Sequence, residues 1–245
     1  NVINLIKKSK DRKAQGLFVV EGKRMFEETP KERIHSLFVS ESFERANKDS
    51  LRGYAYELVA DDVFSHMSDT KTPQGVMALV KMSEYSIEDM LKGGNPLIMI
   101  LENLQDPGNL GTIIRTAEGA GVDGIIMTSG TVDIYNPKVI RSTMGAMYRM
   151  KYAYTDNLKV AAAFLKSRGI TTYAAHLQGA VDYVTCDYKK GTAFFIGNEG
   201  NGLTDEATAL ADRKIIIPMM GKLESLNAAV SGAVLMYEAA RQRRA

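Results

Sequence analysis

The chain has 245 residues, of which 45% are hydrophobic and 24% charged, and its formal net charge at pH 7 is +2. These values are ordinary for a globular protein of one large or two small domains. The single cysteine, Cys186, excludes an internal disulfide bond and a zinc site made of several cysteines. Since no apolar run could span a bilayer and the start does not resemble a signal peptide, we expect a cytoplasmic protein with no membrane partner.

The first module, residues 1–83, alternates short helical and strand patterns, which predicts a small α/β domain. The helical patterns are VINLIKKSK, KRMFEET, FERANKDSL and DDVFSHM, and the strand patterns are LFVVEG, IHSLFVS, YELVA and GVMALVKM.

Basic residues are clustered near the start of this module. They are Lys7, Lys8, Lys10, Arg12, Lys13, Lys23 and Arg24, and the chain also ends in Arg241, Arg243 and Arg244. A clustered basic face attracts phosphate without reading sequence, whereas the alternative is an ordinary solvated helix face.

A domain boundary is predicted over residues 84–95, where Gly93, Gly94 and Asn95 precede Pro96. We interpret 84–95 as a linker and 96–245 as the second module. Its strand patterns are PLIMILENL, DGIIMT, ITTYAAHLQ, TAFFIG and IIIP, with helical patterns between them and AVDYVTCDYKKG as a polar connection. This alternation predicts an α/β fold with a mostly parallel sheet and helices on both faces.

Three strand-to-helix turns in the second module are rich in Gly and Asn: DPGNLG, NEGNGL and the loop that holds Gly221, Ser225 and Asn227. In an open α/β sheet such turns gather at the carboxyl ends of the strands, where ligands bind. Ser225 or Asn227 can cap the last helix. For any one turn, the use of Gly and Asn in tight turns and caps is the simpler explanation. Three similar turns in one half of the chain favour a ligand site.

Arg115 follows the first turn within an apolar stretch of helix, between Ile114 and Thr116. If it is buried, its guanidinium needs an acidic partner or a bound phosphate. The acid could be Glu118 or Glu199, and the sequence leaves both an internal ion pair and a bound phosphate open.

Several common sites are not encoded. The chain contains no GxxxxGK[ST] or GxSxG, which disfavours a phosphate-cradling loop and a nucleophile elbow. One GxGxxG match, Gly119–Gly124, stands between a helical pattern and the strand pattern DGIIMT, whereas a dinucleotide site requires it between a strand and the helix that follows. The scattered histidines His35, His66 and His176 lack metal-ligand spacing, so no metal site is predicted.

The three turns, in the segments DPGNLGTIIRTAEGAG, FFIGNEGNGL and IPMMGKLESLNAAVSGAVLMYE, resemble the three motifs of the SpoU-type (TrmH-like) branch of the SPOUT superfamily, which are RNA ribose 2′-O-methyltransferases. More weakly, LFVVEGKRMFEE and SDTKTPQG resemble the N-terminal substrate-binding domain of that family. The resemblance implies a C-terminal domain threaded as a trefoil knot, S-adenosylmethionine as cofactor and a homodimer.

The resemblance also implies roles for particular residues. The catalytic residues would be Asn109, Arg115, Glu199, Ser225 and Asn227. The cofactor contacts would come from the backbone around Leu177, Gly197, Ile217, Met219 and Leu226. RNA would contact the basic residues Lys7, Lys8, Lys10, Arg12, Lys13, Lys23 and Arg24, together with Arg141.

The N-terminal module favours ribosomal RNA, most of all 23S ribosomal RNA, over transfer RNA, because shorter members of the family lack it. The alternatives are a transfer RNA 2′-O-methyltransferase and a non-catalytic RNA-binding or ribosome-assembly protein on the same fold. A nucleotide-dependent metabolic enzyme is disfavoured because no glycine fingerprint stands between a strand pattern and a helix, and by the basic N-terminal region.

Overall fold

A computed structural model describes residues 1–177 and 180–244. Their α-helices, in chain order, are α1 (Val2–Lys7), α2 (Ser9–Gln15), α3 (Lys23–Glu28), α4 (Glu41–Ala46), α5 (Asp61–Met67), α6 (Ile87–Met90), α7 (Pro107–Ala120), α8 (Pro137–Thr143), α9 (Leu158–Ser167), α10 (Asp205–Leu210) and α11 (Ala228–Arg244). Their strands are β1 (Leu17–Glu21), β2 (Ile34–Ser40), β3 (Glu57–Val59), β4 (Val76–Lys81), β5 (Leu97–Leu101), β6 (Gly124–Thr128), β7 (Tyr152–Thr155), β8 (Thr171–Ala175), β9 (Val181–Asp182), β10 (Thr192–Ile196) and β11 (Arg213–Ile216).

The chain divides into two compact units. The first unit contains Asn1–Ser83 and Asp133–Tyr148, and the second contains Glu84–Val132 and the described residues from Arg149 onwards. Helix α8 therefore belongs to the first unit, although the predicted second module, residues 96–245, includes it. The predicted linker and domain limits stay a prediction.

The first unit is built on a four-stranded sheet in the order β1-β4-β2-β3. Strand β4 is antiparallel to both of its neighbours, and β2 and β3 are parallel. The fully buried side chains of Leu5 on α1 and Phe64 on α5 pack with Met77 of β4, so this unit has its own apolar core. The small α/β domain predicted at the N-terminus is confirmed.

The inserted segment 133–148 is held in the first unit by polar and aromatic contacts. The Arg12 guanidinium lies 2.5 Å from the Asp133 carboxylate, and the hydroxyl groups of Thr29 and Tyr148 are 2.7 Å apart. Burial of Tyr148 raises the pKa of its phenol to about 12, so the group stays protonated and can keep this hydrogen bond at neutral pH.

The second unit contains a seven-stranded sheet in the order β7-β6-β5-β10-β8-β11-β9, and all of its strand pairs are parallel. Strand β5 is buried along its whole length because helices cover both sheet faces. Its Ile98 and Ile100 pack with Leu165 of α9. On the other face, α11 packs against α7, where Gly232 lets the helix approach Met99. The predicted mostly parallel sheet is confirmed.

The segment predicted as a polar connection, AVDYVTCDYKKG, is more structured than its composition indicates. Val181 and Asp182 form the edge strand β9, which pairs with β11. Tyr188 is fully buried against the rings of Tyr173 and Phe194, whose centroids lie 5.1 and 5.0 Å from its own. The prediction was wrong because these aromatic contacts come from distant strands.

In the preceding predicted strand, ITTYAAHLQ, β8 ends at Ala175, and Gln178 lies outside the described residues. The trefoil knot stays a prediction.

Candidate active site

The carboxyl ends of β5 and β10 bring the first two predicted turns together. These strands are parallel neighbours in register, with Leu101 opposite Ile196, so the residues that follow them leave the sheet at the same edge. Asp106 then caps α7 by accepting the Asn109 backbone N–H at 2.7 Å, and Pro107 begins the helix. Because proline has a preset φ and no N–H, it suits this first position.

Side chains from all three turns are joined in one chain of hydrogen bonds. The Asn109 amide donates to Glu199 Oε1 at 3.1 Å, and the Asn227 amide donates to Asn109 Oδ1 at 3.0 Å. We call Glu199, Asn109 and Asn227 the polar chain. The predicted convergence of the three turns is therefore present, and the catalytic roles of these residues stay a prediction.

Glu199 is the anchor of the polar chain. Its carboxylate also accepts the backbone N–H groups of Gln105 at 3.0 Å and Asp106 at 2.8 Å. Partial burial alone would raise the pKa of Glu199. The hydrogen bonds from Asn109, Gln105 and Asp106 outweigh that effect and hold the pKa below its ordinary value. Glu199 is therefore ionised at neutral pH and is better suited to fixing the turn than to accepting a proton.

Asn227, rather than Ser225, caps α11. Asn227 Oδ1 accepts the backbone N–H groups of Ala229 at 2.9 Å and Val230 at 3.3 Å, while its Nδ2 holds Asn109. Ser225 is exposed, and its hydroxyl makes no hydrogen bond to any residue in 1–177 or 180–244. Ser225 therefore remains available to a ligand, and Asn227 has a positioning role.

Arg115 lies on the exposed side of α7, so the condition under which it would need an internal acidic partner is not met. Neither candidate acid pairs with it. Glu118 binds Arg149 at 2.8 Å, and Glu199 is held by the turn. Among the described residues Arg115 has no hydrogen-bond or ion-pair partner, so its five N–H donors can bind an external anion.

The second turn closes tightly on itself. Asn198 and Gly202 exchange backbone hydrogen bonds of 3.0 and 2.9 Å, and Asn198 Oδ1 accepts the Gly200 N–H at 2.9 Å. A Cβ atom on Gly197 would lie 2.1 Å from the backbone carbon of Gly202, so no larger residue fits there without movement. The close approach explains this glycine and fixes the position of Glu199.

The residues predicted to bind the cofactor follow three neighbouring strands. Gly197 comes directly after β10 and Ile217 directly after β11, while Leu177 lies two residues beyond β8. These strands are parallel neighbours, so their carboxyl ends meet at one edge. Within the described chain, residues 217–226, including Met219 and Leu226, make no backbone–backbone hydrogen bonds. Their free amide and carbonyl groups fit a ligand held through the backbone. The individual contacts stay a prediction.

Most of the predicted RNA contacts are exposed in the first unit. Exposed side chains belong to Lys7, Lys8, Lys10, Lys13, Lys23 and Arg24, and Arg141 on α8 is half-buried. Arg12 is the exception and corrects the prediction. It is only 4% exposed, and its guanidinium is used by Asp133 and by the carbonyl oxygens of Leu5 and Ile6. Arg12 therefore stabilises the first unit and does not face a solvent-borne phosphate.

Sequence reasoning missed three residues that support the site. Gln105 and Asp106 supply the backbone N–H groups that hold Glu199, and Asn103 accepts a 2.8 Å hydrogen bond from Asn198 through its carbonyl oxygen. Only Asp106 carries a sequence signal, since Asp followed by Pro is a typical helix start. The positive φ of 52° at Asn103 has no comparable signal.

No group of three or more His, Cys, Asp or Glu side chains is arranged to hold a metal ion within 1–177 and 180–244. Over the same ranges, no helix combines the length and apolar character that crossing a bilayer would require.

Comparison with known families shows similarity over both parts of the chain. Residues 96–237 match the SpoU rRNA Methylase family, and residues 1–78 match the MRM3-like substrate binding domain. The 23S rRNA (guanosine(2553)-2′-O)-methyltransferase RlmP of Bacillus subtilis (strain 168) is 32% identical, over 93% of this chain and 90% of its own length.

Solved structures show the same relationship. The SpoU methyltransferase AviRb from Streptomyces viridochromogenes, in complex with the cofactor AdoMet, is 26% identical with a TM-score of 0.89, covering 100% of this chain and 97% of its own. A structure described in terms of 2-OH methylation of C/U34 on tRNA is 29% identical with a TM-score of 0.54. That comparison covers 97% of the shorter protein but 61% of this chain.

Proposed function

Because the chain belongs to the SpoU rRNA methylase family of RNA methyltransferases, we propose that it transfers a methyl group from S-adenosylmethionine to a ribose 2′-hydroxyl of 23S ribosomal RNA. The polar chain carries this proposal, since it ties residues from all three sequence motifs to one edge of the parallel sheet. Ligands of open α/β sheets bind at such edges.

The preference for ribosomal RNA rests on the first unit. The relative whose name specifies 23S rRNA aligns over 93% of this chain. The tRNA-related structure aligns over 97% of its own length but over only 61% of this chain. The N-terminal match to a substrate-binding domain lies in residues 1–78. An additional RNA-binding surface of this kind supports a large structured substrate.

S-adenosylmethionine, when bound, supplies a methyl group activated by its sulfonium charge. The exposed backbone groups of residues 217–226 and the turn that begins at Gly197 would hold it. The cationic sulfonium would be repelled by the N-terminus of α11, so we expect that end of the helix to meet neutral or anionic parts of the cofactor.

The side chains of the site divide into anchors and contacts. The hydrogen bonds of Glu199 and Asn227 go to the turn, to Asn109 and to α11, so these two residues position the site. Arg115 is free to clamp the phosphate beside the target ribose and to stabilise the alkoxide that forms as the hydroxyl attacks. It does not act as the base, because guanidinium remains protonated in proteins. The proton leaves through water or a neighbouring group. Positioning of this kind can lower a barrier by about 7–11 kcal/mol.

The proposed function is tested by mapping 2′-O-methyl groups on 23S ribosomal RNA from cells with and without this protein. One missing methyl group in the deletion strain, restored by the purified protein with S-adenosylmethionine, is the expected result. Resistance of the product to alkaline cleavage distinguishes ribose methylation from base methylation. Methylation of a base, or of transfer RNA alone, would contradict the proposal.

We also propose that the second unit forms the homodimer and the knotted thread implied by the family resemblance. Exposed apolar side chains near the site, including Met220 at 98% and Leu223 at 74% exposure, support a further covering surface. Sedimentation equilibrium of the purified protein with and without S-adenosylmethionine tests the dimer, which a monomer at micromolar concentration would contradict.

A further inference from the structure

A cavity of about 430 Å³ opens at the same sheet edge as the polar chain and has no role in the proposed function so far. It lies at the carboxyl ends of β5, β6 and β7, between those strands and the helices α9 and α10. Its volume is within the range of about 300–1,000 Å³ that small-molecule sites occupy. None of the predicted catalytic or cofactor residues lines it.

The cavity is physically connected to the polar chain through its rim. Asn103 lines the cavity, and its carbonyl oxygen accepts the Asn198 side-chain amide at 2.8 Å. Gln105 donates its side-chain amide to the carbonyl oxygens of Asn103 and Gly130 and its backbone N–H to Glu199. A group bound in the cavity would therefore lie beside the turn that holds Glu199 and Asn109.

Unused hydrogen-bonding groups line this cavity. Glu206 is an acceptor with no hydrogen-bond or ion-pair partner among the described residues, and Asn103 Nδ2 and Asn157 Nδ2 are donors without one. Asp156 is partly used, since it accepts the Ser129 hydroxyl. The lining also includes the apolar side chains of Leu158 and Leu210, the cation of Lys159, and Glu102, whose carboxylate accepts from Thr204. Because three carboxylates face one lysine in this lining, a phosphate is disfavoured, whereas a flat polar ring with both donors and acceptors is favoured.

We propose that this cavity receives the base of the target nucleotide, turned out of the RNA, and that its lining selects guanine. This inference rests on the proposed function. Guanine presents two adjacent N–H donors, N1–H and the N2 amino group, which one carboxylate such as Glu206 can accept together. Its O6 then accepts from the amide of Asn103 or Asn157. Adenine, cytosine and uracil do not offer two adjacent donors, and enzymes that act on single nucleotides read such splayed bases by their Watson–Crick edges.

The test uses the whole protein saturated with S-adenosylhomocysteine, so that nucleosides cannot enter the cofactor site. Guanosine, inosine, adenosine, cytidine and uridine are titrated while the side-chain amide resonances of Asn103 and Asn157 are followed by NMR. Guanosine should shift both resonances. Inosine lacks the N2 amino group and should bind about tenfold more weakly, which is the discrimination expected of a two-point base contact.

The variant Glu206→Gln keeps the size of the side chain but turns one acceptor into a donor. It should remove the preference for guanosine over inosine while leaving S-adenosylhomocysteine affinity unchanged. The matched control is Asp205→Asn, a neighbouring carboxylate that does not line the cavity. Absence of shifts with any nucleoside, or equal binding of uridine and guanosine, would overturn the inference. Failure of the proposed function differs from both, because guanosine would then bind while no RNA is methylated.

Discussion

The side chain of Asn227 has two roles: its Oδ1 caps α11 by accepting the Ala229 N–H, and its Nδ2 donates to Asn109 at 3.0 Å. The cap stabilises the helix, and the bond to Asn109 fixes the middle of the polar chain. The two contributions can be separated because aspartate keeps the oxygen and loses the amide donor.

Asn227→Asp should therefore leave stability almost unchanged and reduce methylation. Asp and Asn cap helices about equally well, whereas Asn227→Ala should cost about 1 kcal/mol. Releasing Asn109 should slow single-turnover methylation by about 10²-fold, which a displacement of about 1 Å in an active site can cause. Urea unfolding and rapid-quench methylation measure the two quantities. Full activity in the aspartate variant would show that the Asn227–Asn109 contact is dispensable.

The stabilising contribution of Glu199 should depend on pH. Its folded-state pKa lies below the ordinary value of 4.5. A depressed carboxyl pKa contributes stability that is present above the ordinary pKa and is lost as the pH falls through the folded pKa. The stability difference between the wild type and Glu199→Gln should thus be constant near neutral pH and shrink in acid. Urea unfolding at a series of pH values checks this, and a difference that grew on acidification would contradict it.

Arg115→Lys keeps the positive charge but loses the planar fork that binds two phosphate oxygens. We expect RNA affinity to change little and single-turnover methylation to fall by about tenfold or more. A contact that stabilises the transition state by about 1.4 kcal/mol accounts for a factor of ten in rate, so losing it slows the reaction by that factor. Because Arg115 is exposed and has no partner in the described chain, the fold should not be affected. Near-normal methylation by this variant would refute the clamp.

Gly197→Ala should destabilise the second turn because the added methyl group would lie 2.1 Å from the Gly202 backbone. Overpacking of this kind costs about 1–3 kcal/mol. The control is Gly200→Ala, whose nearest neighbour is Asn198 Oδ1 at 3.6 Å, an ordinary contact. Thermal unfolding and S-adenosylmethionine calorimetry on both variants should separate them, and equal behaviour would contradict the steric account.

Salt dependence tests the basic surface of the first unit. Each exposed lysine that neutralises a phosphate contributes about 0.7–0.9 to the slope of log affinity against log salt concentration. Replacing Lys7, Lys8, Lys10 and Lys13 by alanine should reduce the slope by about 0.7–0.9 for each of these lysines that contacts a phosphate. Lys189, an exposed residue of the second unit, is the control. RNA binding that did not weaken with salt in the wild type would contradict this surface.

The sequence by itself determined many of the regular elements and the family. Strand and helix patterns depend on neighbours in the chain, so LFVVEG, IHSLFVS and DDVFSHM predicted β1, β2 and α5 closely. Gly and Asn favour the backbone conformations of tight turns, so the three turns rich in these residues predicted where the strands end and where the edge of the sheet lies.

Only the tertiary structure decided which side chains meet. It selected Asn227 over Ser225 as the cap, buried Arg12 against Asp133 and left Arg115 exposed. It also placed Asp133–Tyr148 with the first unit. Each outcome depends on partners that are far apart in the chain, 121 residues for Arg12 and Asp133 and 118 for Asn109 and Asn227. Local periodicity carries no information on such pairs, because burial and hydrogen bonding are settled only when distant elements pack.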